Sequence, residues 1–381
     1  MKIIIIGAGI GGLCTAIALQ SIGIEVEIYE KAPQWKHIGA GIALAPNALK
    51  ALKYIGIDTD IKAISRSIAE VHILSQNGNI LTKQAYDAHD ANSSKQLLAV
   101  HRADLHEELL RIFPASSLFL DKNLTHIEQD ISSCVVFFED GSQVKADAII
   151  AADGIHSIAR LLYQKHTLPR YAGYVCWRAV IPTPISLLDN NIHTETWGKD
   201  GRFGITPISS THTYWYAVLN TPEKEIASKK QYSALDLYQQ FQHFHTPVPE
   251  VLMNTYDHQL LYSSIIDIEP LDKIALGRVV LIGDAAHATT PNLGQGACQA
   301  IEDAAFLKKC LVENKDVFQA FQQFQTIRLQ RVKKIIEDSW TIGKIAQLEN
   351  GLLTGIRNQL LQWLPESVNA KQMDFLYNID L

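Results

Sequence analysis

Lys2-Ile3-Ile4-Ile5-Ile6-Gly7-Ala8-Gly9-Ile10-Gly11-Gly12 opens the chain, and its reading decides the fold. Lys2 to Ile6 is short, β-branched and apolar, the pattern of a strand buried on both faces. The glycines follow without a break. Leu13 to Ile22 then has the length and apolar character of a helix, closing at Gly23, a residue suited to a helix C-terminus. Glu25 to Glu30 returns as a strand, completing a βαβ unit and implying a parallel sheet. Each glycine of Gly7-x-Gly9-x-x-Gly12 meets a steric demand. Gly7 permits the tight turn, Gly9 lets a pyrophosphate approach the backbone, and Gly12 lets the helix pack on the sheet. The helix N-terminus offers unpaired N–H groups to phosphates, and Glu30 is placed to accept hydrogen bonds from an adenosine ribose. The unit reads as a dinucleotide-binding fold; a plain tight turn is the bland alternative.

At 381 residues the chain exceeds one compact core and suggests two domains of roughly 100–200 residues each. Hydrophobic residues are 47% and charged residues 19%, which excludes disordered and fibrous classes. With 34 basic and 40 acidic residues the net charge is −6, which argues against a nucleic-acid partner. The five cysteines (Cys14, Cys134, Cys176, Cys298, Cys310) are scattered and form no CxxC pair. Neither a disulfide framework nor a structural zinc site is expected, no histidine cluster has zinc spacing, and no metal is proposed. The uncharged run Ile3 to Leu19 imitates a signal peptide, but four glycines interrupt it and no cleavage site follows. No other stretch approaches the ~20 apolar residues of a membrane span. The expected location is cytoplasmic, with no membrane partner.

Further along, Val71 to Leu74 and Ile80-Leu81 flank Asn77-Gly78, and Val135 to Phe138 and Val144 flank Asp140-Gly141. Both read as antiparallel hairpins with type I′ turns. Ala146 to Ala152 reads as an apolar strand running into Asp153-Gly154. Between about Tyr171 and Ile274 short β-rich segments dominate, among them Arg202 to Ile208 and Thr213 to Leu219. A buried-strand pattern returns at Arg278 to Ile282, followed by a helix over Ala297 to Leu311. A long helix over Phe318 to Leu348 carries Arg328, Arg331, Lys333 and Lys334 on its polar sides. The expected fold class is α/β: a Rossmann-like domain interleaved with a β-rich substrate domain, plus C-terminal helices. The expected spans are 1–70, 100–168 and 278–345 for the first domain, 71–99 and 169–277 for the second, and 346–381 for the helical tail.

A second motif runs from Gly283-Asp284-Ala285-Ala286-His287-Ala288 to Pro291-Asn292-Leu293-Gly294-Gln295-Gly296. A strand ending in Gly-Asp puts a carboxylate at the carboxyl edge of the sheet, where it can bind polyol hydroxyls. The helix opened by the later glycines can face the negative charge of a reduced flavin.

Taken together, these motifs resemble the class A flavoprotein aromatic hydroxylases, FAD-dependent monooxygenases of the para-hydroxybenzoate hydroxylase type. The resemblance rests on Gly7–Gly12 with Glu30, on Asp153-Gly154 with Arg160, and on Gly283-Asp284 through Gly296. Gly39-Ala40-Gly41-Ile42, Pro46-Asn47 and Arg102 in His101-Arg102-Ala103-Asp104-Leu105 extend it over the first 300 residues. It implies that Gly7, Gly9 and Gly12 hold the pyrophosphate of a non-covalent FAD and that Glu30, with Lys31 beside it, serves the adenosine ribose. Arg102 and Asp284 would reach the pyrophosphate and ribityl region, and Gly294, Gln295 and Gly296 the isoalloxazine ring. Gly41 would flank that ring, and Asp153 would serve FAD and the nicotinamide cofactor. Only one dinucleotide fingerprint exists, so NADH or NADPH would bind transiently. Neither that choice nor the oligomeric state is written in these residues.

The implied activity is NAD(P)H- and O2-dependent hydroxylation of a small electron-rich aromatic or heteroaromatic compound through a flavin C4a-hydroperoxide. A flavin dehydrogenase or reductase without oxygenation, and a non-catalytic flavin sensor, are the other readings. Absence of a paired redox cysteine disfavours the disulfide-reducing flavoenzymes. In the β-rich insert, Tyr214 and Tyr216 would share a strand face opposite Trp215. Arg202 with Tyr214, a pair that resembles the substrate-handling residues of flavin-dependent urate hydroxylases, are the candidate catalytic residues, because a guanidinium beside aromatic rings suits a flat anion. The alternative is that Arg202 is a surface or salt-bridged residue and Tyr214 part of the core. Trp177 and Trp215 are read as core, and His287 as packing near the cofactor.

Overall fold

A computed structural model describes residues 1–36, 39–88, 90, 95–187, 191–363 and 366–381. Residues 89, 91–94 and 188–190, within the spans expected for the substrate domain, lie outside the described residues.

The opening run forms the strand Lys2–Ile6, with Ile3, Ile4 and Ile5 fully buried. It pairs in parallel with Glu25–Tyr29 on one side and Ala148–Ala151 on the other. The sheet continues in parallel to Leu118–Phe119 at one edge and Val279–Leu281 at the other, where Ala275–Leu276 adds an antiparallel strand. Helix Ile10–Gln20 packs against its strands Lys2–Ile6 and Glu25–Tyr29, and helix Gly296–Glu313 packs in turn on Ile10–Gln20, so the central strands are buried and read as unbroken apolar runs. The carboxyl ends of its strands carry the glycine turn, Asp153 and Asp284 on one edge, where open α/β sheets bind ligands.

A second, seven-stranded sheet runs Leu261–Asp267, Arg170–Pro182, His212–Asn220, Gly201–Pro207, Ile192–Gly198, Glu70–Ser75, Ile80–Ala85. Alternation along it separates two environments. One face buries Trp177, Phe203 and Trp215 against helices Ala234–Phe241 and Val248–Met253. The other face carries Tyr214, Tyr216, Arg202 and Arg178 toward the parallel sheet. The strand Leu97–His101, which crosses the expected boundary between 99 and 100, pairs with Gly41–Leu44 and Arg66–Ile68 in a separate three-stranded sheet.

Three local expectations are corrected. Both hairpins form, but only Gly78 and Gly141 have positive φ, whereas a type I′ turn needs it at two positions. In each, the glycine N–H closes onto a carbonyl three residues back, at Ser75 and Phe138, giving a type I turn followed by a left-handed glycine. The run Ala146 to Ala152 is two strands, broken at Asp147. That carboxylate accepts the Lys2 N–H at 2.7 Å and turns the chain from the Gln143–Ala146 hairpin into the parallel sheet. Arg328 and Arg331 are not on polar sides of the long helix Val317–Ala346. Glu302 and Asp303 on the facing helix draw them inward, Arg328 to both acids and Arg331 to Glu302.

The tail adds helices Gly351–Gln362 and Glu366–Tyr377. Its end folds back onto the body of the chain, with Arg331 donating to the Leu376 carbonyl at 2.8 Å and Tyr377 hydrogen-bonded to Tyr86 at 2.9 Å. No helix among the described residues is long and apolar enough to cross a membrane.

Candidate active site

Between the parallel sheet and the seven-stranded sheet lies a cavity of about 630 Å³. Its floor is the glycine turn. Gly7, at φ +99°, would drive a Cβ to 2.4 Å from the Ala152 carbonyl oxygen, and a Cβ on Gly12 would lie 2.1 Å from the Gly7 oxygen. Gly9 is different: a Cβ there meets no protein atom within 4 Å and points into the cavity. Gly154, Gly294 and Gly296 line the same space with equally free Cα positions.

Two helices begin at this cavity without a side-chain cap, Ile10–Gln20 from Gly9 and Gly296–Glu313 from Gln295. Each presents unpaired N–H groups and the positive end of its dipole. One is suited to a pyrophosphate and the other to an anionic ring edge. Asp284 is exposed on the cavity, whose walls partly desolvate its carboxyl and push it above the usual range, against the pull of His287, Arg102 and Arg160. Asp303 clamps its turn from behind, accepting from the Gly283 N–H at 2.8 Å and pairing with His287 at 2.6 Å. His287 therefore packs behind the loop. The donor set and the open glycine cradle fit an FAD molecule.

Not every expected cofactor residue faces the cavity. Arg102, Gly41, Asp284, Gly294 and Gly296 line it with Gly9 and Gly12. Glu30 accepts from the Ala8 and Ala32 N–H groups at 2.8 and 2.9 Å, so its carboxylate also fastens the glycine turn to the second strand. Lys31 is exposed and off the lining. Asp153 accepts from the Ala159 N–H at 3.1 Å at the start of helix Ile158–Tyr163, with its other oxygen buried and unpartnered. Gln295 points away from the cavity and binds Asn47 at 3.0 Å and Gln299 at 2.9 Å.

The roof is the polar face of the seven-stranded sheet. Tyr214 and Tyr216 share it and Trp215 faces away, as the alternation requires. Glycines make room for both rings. A Cβ on Gly41 would strike the Tyr214 ring at 2.4 Å, and one on Gly204, opposite Tyr216, would meet that ring at 2.1 Å. Burial holds both phenols above their ordinary pKa, for Tyr216 strongly so. Arg202 is buried and salt-bridged to Glu195 at 3.0 Å, and donates to Asn292 Oδ1 at 2.8 Å. Glu195 also accepts from Tyr216 at 2.8 Å and from Trp197 Nε1 at 3.0 Å.

Sequence reading missed Glu195, Asn292 as a hub, and the Tyr86–Tyr377 pair. His193, Glu195 and Trp197 alternate on one strand, and a charge on an inward face is the signal that could have found Glu195. Nothing in the weakly patterned tail marks Tyr377.

The FAD binding domain family matches residues 1–339. Aurachin C monooxygenase/isomerase of Stigmatella aurantiaca is 32% identical over 364 residues, covering 96% of this chain and 94% of that protein. The 2-heptyl-3-hydroxy-4(1H)-quinolone synthase of Pseudomonas aeruginosa is 32% identical over 377 residues, covering 96% and 95%. The crystal structure of Klebsiella pneumoniae HpxO with FAD and uric acid superposes with a TM-score of 0.90 at 28% identity, covering 99% of this chain and 96% of that one. With an uncapped glycine cradle of this shape, the chain belongs to the FAD-binding class A flavoprotein monooxygenases, and it is an FAD-dependent hydroxylase that uses NAD(P)H and O2.

Proposed function

We propose that the chain hydroxylates an electron-rich aromatic or heteroaromatic ring held between the glycine cradle and the tyrosine-bearing face of the seven-stranded sheet. The observation that carries this reading is the continuity of the cavity from Gly9 and Asp284 at one end to Tyr214, Tyr216 and Arg202 at the other. When bound, FAD supplies the redox and oxygen chemistry. Gly9, Gly12 and the first helix N-terminus hold the pyrophosphate, and Arg102 and Asp284 the adjoining hydroxyl-rich chain. The Gly296 helix N-terminus offsets negative charge on the ring edge. Gly7 and Glu30 act one step back by fixing the glycine turn, and Gly41 admits Tyr214. Lys31, Asp153 and Gln295 are better read as flanking support.

The apolar side of the cavity is formed by Ile68, Val71, Ile73 and Leu97 and bounded by Tyr86 and Tyr377. This wall suits an aliphatic substituent on the ring, in keeping with the heptyl group named in one relative. The chain is expected in a reducing cytoplasm, where its five buried, unpaired thiols persist.

The test is oxidation of NADH and of NADPH by FAD-loaded protein. The panel is urate, salicylate, hydroxybenzoates, hydroxynicotinate and alkyl-substituted hydroxyquinolines. Stimulation by one class, with a product gaining one oxygen, supports the reading. A uniform lack of stimulation, or peroxide as the sole product throughout, overturns it.

A further inference from the structure

Arg202 was the cation that the sequence offered to an anionic substrate, but its guanidinium is already engaged by Glu195 and Asn292. A second arginine lies on the same face. The cross-strand register runs Arg178, Tyr216, Gly204, Glu195, Ile73 across five strands, and Arg202 sits in the adjoining row opposite Val218. Arg178 lines the cavity and has no carboxylate partner among the described residues. Its Nη2 donates to the Ser263 hydroxyl, and its Nε, like that of Arg202, is buried without a partner, so the two arginines differ in their carboxylate and not in that atom.

Charge accounting on this wall separates the two arginines. Glu195 offsets Arg202. Burial pushes the His193 imidazole below its ordinary pKa, so it is uncharged at neutral pH. Arg178 is left as the cation of this pair without a carboxylate, and its Nη1 makes no hydrogen bond among the described residues. A guanidinium binds oxyanions with two parallel bonds.

We infer that Arg178, and not Arg202, binds the oxyanion of the ring substrate, whether phenolate, enolate or carboxylate, while Arg202 is a positioning residue that ties the sheet to the Asn292 loop. This rests on the reading of the site given under Proposed function. Glu195 and Asn292 hold Arg202 so that Tyr216 and the Pro291–Leu293 turn keep a fixed relation to the bound ring.

The test is titration of FAD-loaded wild type, Arg178→Gln and Arg178→Lys with salicylate, 6-hydroxynicotinate, urate and 2-heptyl-4-hydroxyquinoline. Each is paired with its uncharged O-methyl, methyl-ester or N-methyl analogue, and binding is followed by the change in flavin absorbance. Loss of a charged hydrogen bond is expected to weaken binding of the oxyanion about 10- to 100-fold in Arg178→Gln. Arg178→Lys should recover part of it. The uncharged analogue should bind wild type and Arg178→Gln alike, and FAD content and the urea midpoint should stay unchanged. Equal affinity of wild type and Arg178→Gln for the oxyanion overturns the inference and leaves the monooxygenase site standing. Equal loss for charged and uncharged forms also overturns it, by making Arg178 structural. Failure of every oxyanion to perturb the wild-type flavin overturns this inference together with the reading of the site.

Discussion

Gly12 stands so close to Gly7 that a Cβ on it would lie 2.1 Å from the Gly7 carbonyl oxygen, while Gly9 between them faces only open cavity. The two glycines therefore answer different demands, one of packing and one of ligand approach. Gly9→Val should fold with a urea midpoint near that of wild-type apoprotein and purify without flavin. Gly12→Ala should lose stability itself, because backbone cannot yield at 2.1 Å. Normal FAD content in Gly9→Val would remove the pyrophosphate role from this turn.

A parallel argument applies to Gly41 beneath the Tyr214 ring. Gly41→Ala should force the ring off its position and cost about 1–3 kcal/mol of overpacking. Substrate binding should weaken in step. Shortening the partner in Gly41→Ala/Tyr214→Leu should recover the stability but not the binding. Equal stability of Gly41→Ala and wild type in urea would show that the contact relaxes freely.

Behind the flavin loop, Arg328 joins Glu302 and Asp303 in a fully buried cluster. Burial alone would raise both carboxyls. Arg328, with Arg331 at Glu302 and His287 at Asp303, outweighs it and holds both below their usual values. Depressed folded-state values mean that this stability is present in full above the ordinary carboxylate range and is lost as pH falls through the depressed values. Arg328→Met should cost about 3–5 kcal/mol at neutral pH by stranding buried charge. The deficit against wild type should narrow on acidification, as the stranded acids protonate. Urea unfolding across the acid range measures this, and a deficit independent of pH would assign the cost to lost packing alone.

Burial also governs the thiols. Cys14, Cys134, Cys298 and Cys310 are pushed up to about 12, and Cys176 is raised as well. They remain protonated at mildly alkaline pH, where the thiolate is the reactive form. Native protein should resist iodoacetamide, and all five cysteines should label together on unfolding. Rapid native labelling of any one would contradict its burial.

The parallel sheet was legible because each of its devices is local. Lys2–Ile6, the glycine turn and Glu30 lie within thirty residues, and steric demand at Gly7 and Gly12 leaves few substitutes. Strand alternation likewise placed Tyr214, Trp215 and Tyr216 on their correct faces. What escaped was set by pairing between distant segments. Arg202 meets Glu195 across a hairpin but Asn292 across 90 residues, and Arg328 is drawn inward by acids on another helix. Periodicity assigns a charge to a solvent face because it carries no record of the opposite charge waiting there. The Tyr86–Tyr377 contact joins residues 291 apart and left no local trace. The turn types missed for a smaller reason: Asn-Gly and Asp-Gly also suit a type I turn closed by a left-handed glycine.

Turnover under isotopically labelled dioxygen tests the central claim most directly, with NAD(P)H and the ring compound that best stimulates its oxidation. The account requires one labelled oxygen in each product molecule and one NAD(P)H oxidised for each hydroxylation in the fully coupled limit. Product oxygen drawn from water, or NAD(P)H oxidation that yields only labelled peroxide with every ring compound, would contradict it.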